Sequence, residues 1–261
     1  SYVSFPVVMA AKVRRIPTIT HEQNVIPGRA NRILANFVNK IAISFSESAK
    51  YFPRAKILLT GCPIRRELLK ADKTEALQKF NMAADKFTIL VLGGSQGSHH
   101  LNLKFTRAVA GSEAKDGLQI IHLTGEADYA SGKAEYERMG ITHCVFAFLE
   151  EMGYAYKLAD LVISRAGASA IAEIAIFGLP AILVPYPFAY GHQLQNAEVL
   201  VDAGAAVLIK DEDLSADLLR ENILRLRNNR RQLQDMGQKS RRRAVINAAG
   251  DLAKAVREMV N

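Results

Sequence analysis

The chain has 261 residues and a formal net charge of +8; 49% of it is hydrophobic and 23% charged. That length suits two domains, and the balance is that of a globular protein with a buried core. No run approaches the ~20 uncharged apolar residues of a membrane-spanning helix, and the two cysteines, Cys62 and Cys144, are too few and too far apart for a disulfide scaffold or a metal site. Free thiols of this kind point to a reducing compartment. The opening "SYVSFPVVMAAKVRRIP" has no basic leader ahead of its apolar part, so no signal peptide is expected.

In chain order, "IPTIT", "KIAISF" and "AKILLTG" read as strands of a first unit, with "GRANRILANFVNK" as a helix between the first two. This unit, residues 1–70, has fewer strands than a Rossmann-like half normally shows, so it is expected to be a remnant of a larger domain. Residues 71–86 are polar and read as a linker. A second unit, 87–261, carries the strands "FTILVLGG", "LQIIHLTG", "HCVFAF", "ADLVIS", "LPAILVPY" and "AAVLI", with helical patterns between them. Strands that alternate with helices predict right-handed crossovers and a doubly wound parallel sheet, so the fold class is α/β. From Arg225 to Arg243 basic residues dominate at helical spacing, which predicts an amphipathic helix. Nucleic-acid binding is not expected there, since no aromatic platform or recognition motif accompanies the charge.

Three strand ends carry chemistry. In "LVLGGSQGSHHLN", residues 91–103, small residues let the backbone approach a ligand, Ser95 adds a hydroxyl, and a following helix offers its N-terminal N–H groups to an anion. A tight structural turn explains that stretch equally well. In "VISRAGASAIAEIAIFGLP" a second strand runs into Gly167, Ala168 and Ser169 and then a helix. Glu173 lies about one turn inside it, among apolar neighbours where a lone acid is out of place. A carboxylate there can accept from two vicinal hydroxyls, such as a ribose offers. In "PYPFAYGHQLQNAEVL" the amides of Gln193 and Asn196 suit sugar hydroxyls, while His192 has no carboxylate partner in sequence and reads as structural.

Together "HEQNVIPGRANR", "TGCPIR", "LGGSQGS", "FLEEMGYAYKLADLVISRAGASAIAEIAIFGLPAILVPYP" and "HQLQNA" resemble the MurG family, the peptidoglycan N-acetylglucosaminyltransferases that make lipid II from lipid I. The resemblance covers essentially the whole chain and implies a GT-B fold, two Rossmann-like units facing a cleft, with an N-terminal portion of the family's first unit absent. It implies that UDP-N-acetylglucosamine sits mainly on the second unit, with Ser95, Ala168 and Ser169 at the diphosphate and Glu173 on the ribose. Leu149 would read uracil through its backbone, and Gln193 would hold the sugar. Arg65 would lie near the donor and Asn24 would reach in from the first unit. His21 and Glu22, on the acceptor side, are the candidate catalytic residues. The implied site is metal-independent and needs no cofactor. The implied partners are the donor, lipid I and an anionic membrane surface at the cytoplasmic face of the bacterial inner membrane. Cys62 stands where the family usually has Asn. The chain as given is expected to bind UDP yet transfer little sugar. The competing readings are another UDP-sugar enzyme of the same fold, a 2-epimerase or a lipid glycosyltransferase, and a non-catalytic basic module.

Overall fold

The computed structural model describes residues 3–94, 97–110, 117–188 and 191–260. Among these the chain forms two parallel sheets. The first holds β1 (Ile19–Glu22), β2 (Lys40–Ile43) and β3 (Ile57–Leu59), in that order, flanked by α1 (Ser4–Val13) and α2 (Arg29–Leu34). Leu34, Val38, Ile41, Ile43 and Phe52 form its core. The first strand runs on into His21 and Glu22, which places both at its carboxyl end. The helix expected over 28–40 is only six residues long. Its chain turns away after Leu34, and Asn39 ties back to the Thr18 N–H at 3.0 Å.

The second sheet has the order β6-β5-β4-β7-β8-β9, all parallel. Its strands are β4 (Phe87–Leu92), β5 (Leu118–Leu123), β6 (Thr142–Phe146), β7 (Leu161–Ser164), β8 (Ala181–Leu183) and β9 (Ala206–Leu208). The apolar runs alternate between two cores, as the pleat requires. Leu90, Leu92, Ile121, Val162 and Leu183 face one cluster with α6 (Met152–Leu158), α7 (Ala168–Phe177) and α8 (His192–Val201). Ile89, Val91, Ile120, Ile163 and Val184 face the other, with α4 (His99–Ala110), α5 (Tyr129–Met139) and α9 (Ala216–Arg227). Successive strands step outward from β4 in one direction and from β7 in the other. The junction between β4 and β7 is therefore the topological switch point, where doubly wound sheets take their ligands.

Three segments differ from the sequence reading. Residues 71–86 contain α3 (Lys73–Phe80), N-capped by the Asp72 side chain, and it buries Ala76 and Phe80 in the second unit's core. Its polar look is that of a helix wet on one face. The basic stretch is two helices, because Asn228 and Asn229 break it. Asn229 accepts from the Gln232 N–H and starts α10 (Arg230–Arg242). Beyond α10 the chain returns to the first unit: Arg243 pairs with Glu47, and Val245 and Ala248, at the start of α11 (Ala248–Glu258), close over Gly61. Gly61 has φ +81°, and an added Cβ would sit 2.5 Å from Val245.

Candidate active site

Two turns flank the switch point. After β4 the chain runs through Gly93 and Gly94 to Gly97 and Ser98 before α4 starts. Ser95, named above as a phosphate contact, lies outside the described residues. Gly97 has φ +78°, and a Cβ there would lie 2.1 Å from the Thr124 carbonyl oxygen, so only glycine fits. After β7 the chain passes Arg165, Ala166 and Gly167 into α7. Gly167 is the N-cap and offers no side-chain acceptor. The first-turn N–H groups of α7, those of Ala168 and Ser169 among them, thus remain available to an anion. Ala168 is buried and Ser169 exposed.

Glu173 follows one turn later. It accepts a 2.7 Å hydrogen bond from the Tyr156 hydroxyl on α6. Burial raises its pKa above the ordinary value of 4.5, while the Tyr156 bond and the charge of Arg65 act downward. Arg65, exposed at the end of the "TGCPIR" stretch, is thereby brought to Glu173 from the first unit. Tyr156 is itself buried, which together with the Glu173 charge holds its phenol protonated. It also stacks on Phe177, with ring centroids 4.9 Å apart. The pair spans two helices, and nothing in the sequence marks Tyr156 as the partner.

Gln193 stands in the first turn of α8. Its Oε1 accepts from the N–H groups of Ala166 and Tyr186, each at 3.0 Å. The carbonyl end therefore fixes the loops after β7 and β8, and the amide N–H₂ has no partner among the described residues. Asn196 behaves differently. It is fully buried; Oδ1 accepts from Val25 N–H at 3.0 Å, and Nδ2 donates to Asn24 Oδ1 at 3.0 Å and to the Ala166 carbonyl at 3.2 Å. The sequence reading offered Asn196 to sugar hydroxyls; its amide is spent on joining the two units. His192 donates its Nδ1–H to the Ile26 carbonyl at 2.8 Å, as a structural histidine does.

Across the junction, Glu22 is 3% exposed and holds the "HEQN" loop. One oxygen accepts from the Asn24 N–H at 2.9 Å. The other accepts from the Gly28 N–H at 3.0 Å and Asn31 Nδ2 at 2.8 Å. Asn24 is thus positioned by Glu22 on one side and Asn196 on the other. His21 places Nε2 3.0 Å from the Gly61 carbonyl. A carbonyl only accepts, so the neutral ring carries its proton on Nε2 and leaves Nδ1 as the basic nitrogen. Leu149, in the loop between β6 and α6, buries its side chain in the core.

Arg165, which the sequence reading passed over, organises the carboxyl edge. It is 6% exposed. Its guanidinium donates to Ser98 Oγ at 2.7 and 3.1 Å, to the Val184 carbonyl at 3.1 Å and to Asp211 at 2.5 Å. One side chain ties the turns after β4, β8 and β9. The available signal was an Arg at the end of an apolar strand. Asp211 and Asp213 form an Asp-x-Asp pair three residues past the end of β9, where the sequence alone suggested that no such pair follows a strand. The Asp211 carboxylate is engaged by Arg165 and by His100 at 3.3 Å.

A doubly wound parallel sheet with small residues at its switch point is the arrangement on which many α/β proteins take nucleotides. Residues 88–255 match the glycosyltransferase family 28 C-terminal domain, and residues 1–43 match the family's N-terminal domain. Two relatives, from Thermodesulfovibrio yellowstonii and Desulforamulus reducens, are both named UDP-N-acetylglucosamine--N-acetylmuramyl-(pentapeptide) pyrophosphoryl-undecaprenol N-acetylglucosamine transferase. They are 44% and 40% identical over 87% and 99% of this chain. The chain spans 63% of the first relative's length and 72% of the second's. The crystal structure of Acinetobacter baumannii MurG superposes with a TM-score of 0.82 at 31% identity, covering 99% of this chain and 72% of that one. The chain belongs to glycosyltransferase family 28 and, within it, to the MurG family, and its two parallel sheets are those of the GT-B fold.

Proposed function

We propose that the chain serves the transfer of N-acetylglucosamine from UDP-N-acetylglucosamine to the 4-hydroxyl of the muramyl sugar of lipid I, with inversion, giving lipid II. The observation that carries this reading is the placement of Glu173. It sits one turn inside a helix with an uncapped N-terminus, at the switch point, and is held there by a buried tyrosine. A diphosphate on the first-turn N–H groups of α7 puts an attached ribose within reach of that carboxylate. In this reading Ser95 and the glycine turn complete the diphosphate site, and the Leu149 backbone reads the uracil edge. The Gln193 amide N–H₂ is left to donate to the sugar, and Arg65 stabilises the charge that develops as UDP departs.

On the acceptor side, His21 offers Nδ1 as the base for the attacking hydroxyl. Glu22 and Asn24 hold that strand end against the donor turns, which keeps the two reactants in register. None of the helices described is long and apolar enough to cross a membrane. A lipid-borne acceptor places the enzyme peripherally, at the anionic cytoplasmic face of the inner membrane, with no role for nucleic acid. Calorimetry with UDP, ADP, GDP and CDP tests the donor site, and product analysis with a lipid I analogue tests the transfer. Preference for UDP is the expected result. Equal affinity for all four diphosphates would remove the donor assignment whatever the transfer assay gives.

A further inference from the structure

A wide cavity among the described residues lies away from these turns, at the opposite edge of the second sheet. It is open, about 1020 Å³ in volume, and lined where the strands begin: by Phe87 and Thr88 of β4, Gln119 of β5, and Asp160 and Pro180 just ahead of β7 and β8. At about 3.3 Å per residue, the length of β4 separates it from the glycine turn by roughly 20 Å. A ligand there does not overlap the donor.

Its charge is lopsided. Lys73, Lys86, Arg227, Arg230 and Arg241 line it, against only Asp85 and Asp160. Lys86 is bonded to Thr142 Oγ1 at 3.1 Å. The side chains of Lys73, Arg230 and Arg241 make no direct hydrogen bond or ion pair among the described residues; the Asp160 carboxylate feels the charges of Lys73 and Arg230 and offsets them only in part, one acid against two bases. They come from two elements on facing sides, α3 and α10. On α10, Arg230, Gln234, Gln238 and Arg241 recur at helical spacing and present one face to the cavity. Like charges gathered round one space repel unless a counter-charge fills it. Guanidinium forks and amide donors match phosphate oxygens. Arg230 and Arg241 are about 16 Å apart along the helix at 1.5 Å per residue, too far for one phosphate to serve both.

We propose that this cavity is a second anion site, which takes a group carrying more than one phosphate, either a soluble polyphosphate or the phosphates of a lipid surface. Its wall also touches the donor machinery: Phe177 lines the cavity and stacks on Tyr156, which holds Glu173. The wall of the cavity is therefore in packing contact with the tyrosine that orients the Glu173 carboxylate.

The test uses the full chain with UDP at saturation, so that the donor turns are blocked. Tripolyphosphate is titrated calorimetrically, and partition onto phosphatidylglycerol/phosphatidylcholine vesicles is compared with that onto phosphatidylcholine alone. Tripolyphosphate is expected to bind, and to bind about tenfold or more weakly to the Arg230→Gln/Arg241→Gln double variant, as loss of charge-assisted hydrogen bonds predicts. UDP affinity should be unchanged. Lys73→Gln, on the other wall, should weaken binding in the same direction and serves if the double variant does not fold. Reduced vesicle partition in the same variants assigns the site to lipid phosphates; unchanged partition assigns it to the soluble anion. Failure of tripolyphosphate to bind, its displacement by UDP, or wild-type affinity in folded variants overturns the proposal.

Discussion

Asn196 Nδ2 donates to Asn24 Oδ1 across 3.0 Å, and this bond links the donor helix α8 to the "HEQN" loop of the first unit. The same amide accepts from Val25 N–H and donates to the Ala166 carbonyl, all out of contact with water. Asn196→Ala leaves buried polar groups on both units without partners. It should lower stability by about 1–3 kcal/mol, read by urea denaturation. Transfer should fall further than UDP affinity, because the lost bonds set the relation between units and not the donor turns themselves. A variant of wild-type stability would show that the bridge is replaceable.

Glu173→Ala should weaken UDP binding by roughly 1–3 kcal/mol, the loss of hydrogen bonds to a charged acceptor, with unchanged far-UV circular dichroism. The pH dependence follows from the raised carboxyl. Binding a diol needs the ionised form, so UDP affinity should begin to fall, on acidification, above the ordinary glutamate range. Tyr156→Phe removes a bond that lowers this pKa, and should move the acid limb to still higher pH. Stability runs the other way. The folded chain holds this proton more tightly than the unfolded chain does, so the residue's contribution to stability grows as pH falls through that window. Calorimetric titrations across pH in both proteins check the shift; identical acid limbs would contradict it.

Arg165 should tolerate no shortening. Arg165→Lys keeps a charge but cannot reach Ser98 Oγ, the Val184 carbonyl and Asp211 together. UDP binding should drop while the sheet persists. Arg165→Met leaves Asp211, partly exposed and still beside His100, without its guanidinium, and should cost about 1–3 kcal/mol of stability, as expected for lost charge-assisted hydrogen bonds. Thermal melts alongside UDP titrations separate the two effects.

His122 is fully buried between Tyr136 OH at 2.7 Å and Asn102 Oδ1 at 3.0 Å, and burial depresses its pKa to about 3. The unfolded chain takes up this proton near 6.5 and the folded chain does not. The stabilising effect is therefore complete above 6.5 and declines as pH falls toward 3, by up to about 1.4 kcal/mol per unit. Urea denaturation at neutral and mildly acidic pH should show a shallower dependence in His122→Gln than in the parent.

The alternation of apolar runs with helices was enough to read nine parallel strands, because a strand buried on both faces has few other compositions open to it. Small residues at 93–98 and 167–169, and an acid at 173 inside an apolar helix, were equally legible, since each breaks the local pattern. The sequence could not show which strand ends adjoin. The switch point between β4 and β7, 74 residues apart at their starts in the chain (Phe87 and Leu161 open strands that lie side by side, with β5 and β6 placed elsewhere), arises only when the sheet is assembled. Nor could it divide the amides of α8. Gln193 and Asn196 are chemically alike and three residues apart, yet helical rotation leaves one with an N–H₂ that has no partner among the described residues and turns the other into a buried link to Asn24. Tyr156, Arg165 and the cationic cavity were silent for the same reason. Their partners lie 17, 67 and more residues away, and hydrogen bonds and charge clusters made at such separation exist only in the tertiary structure.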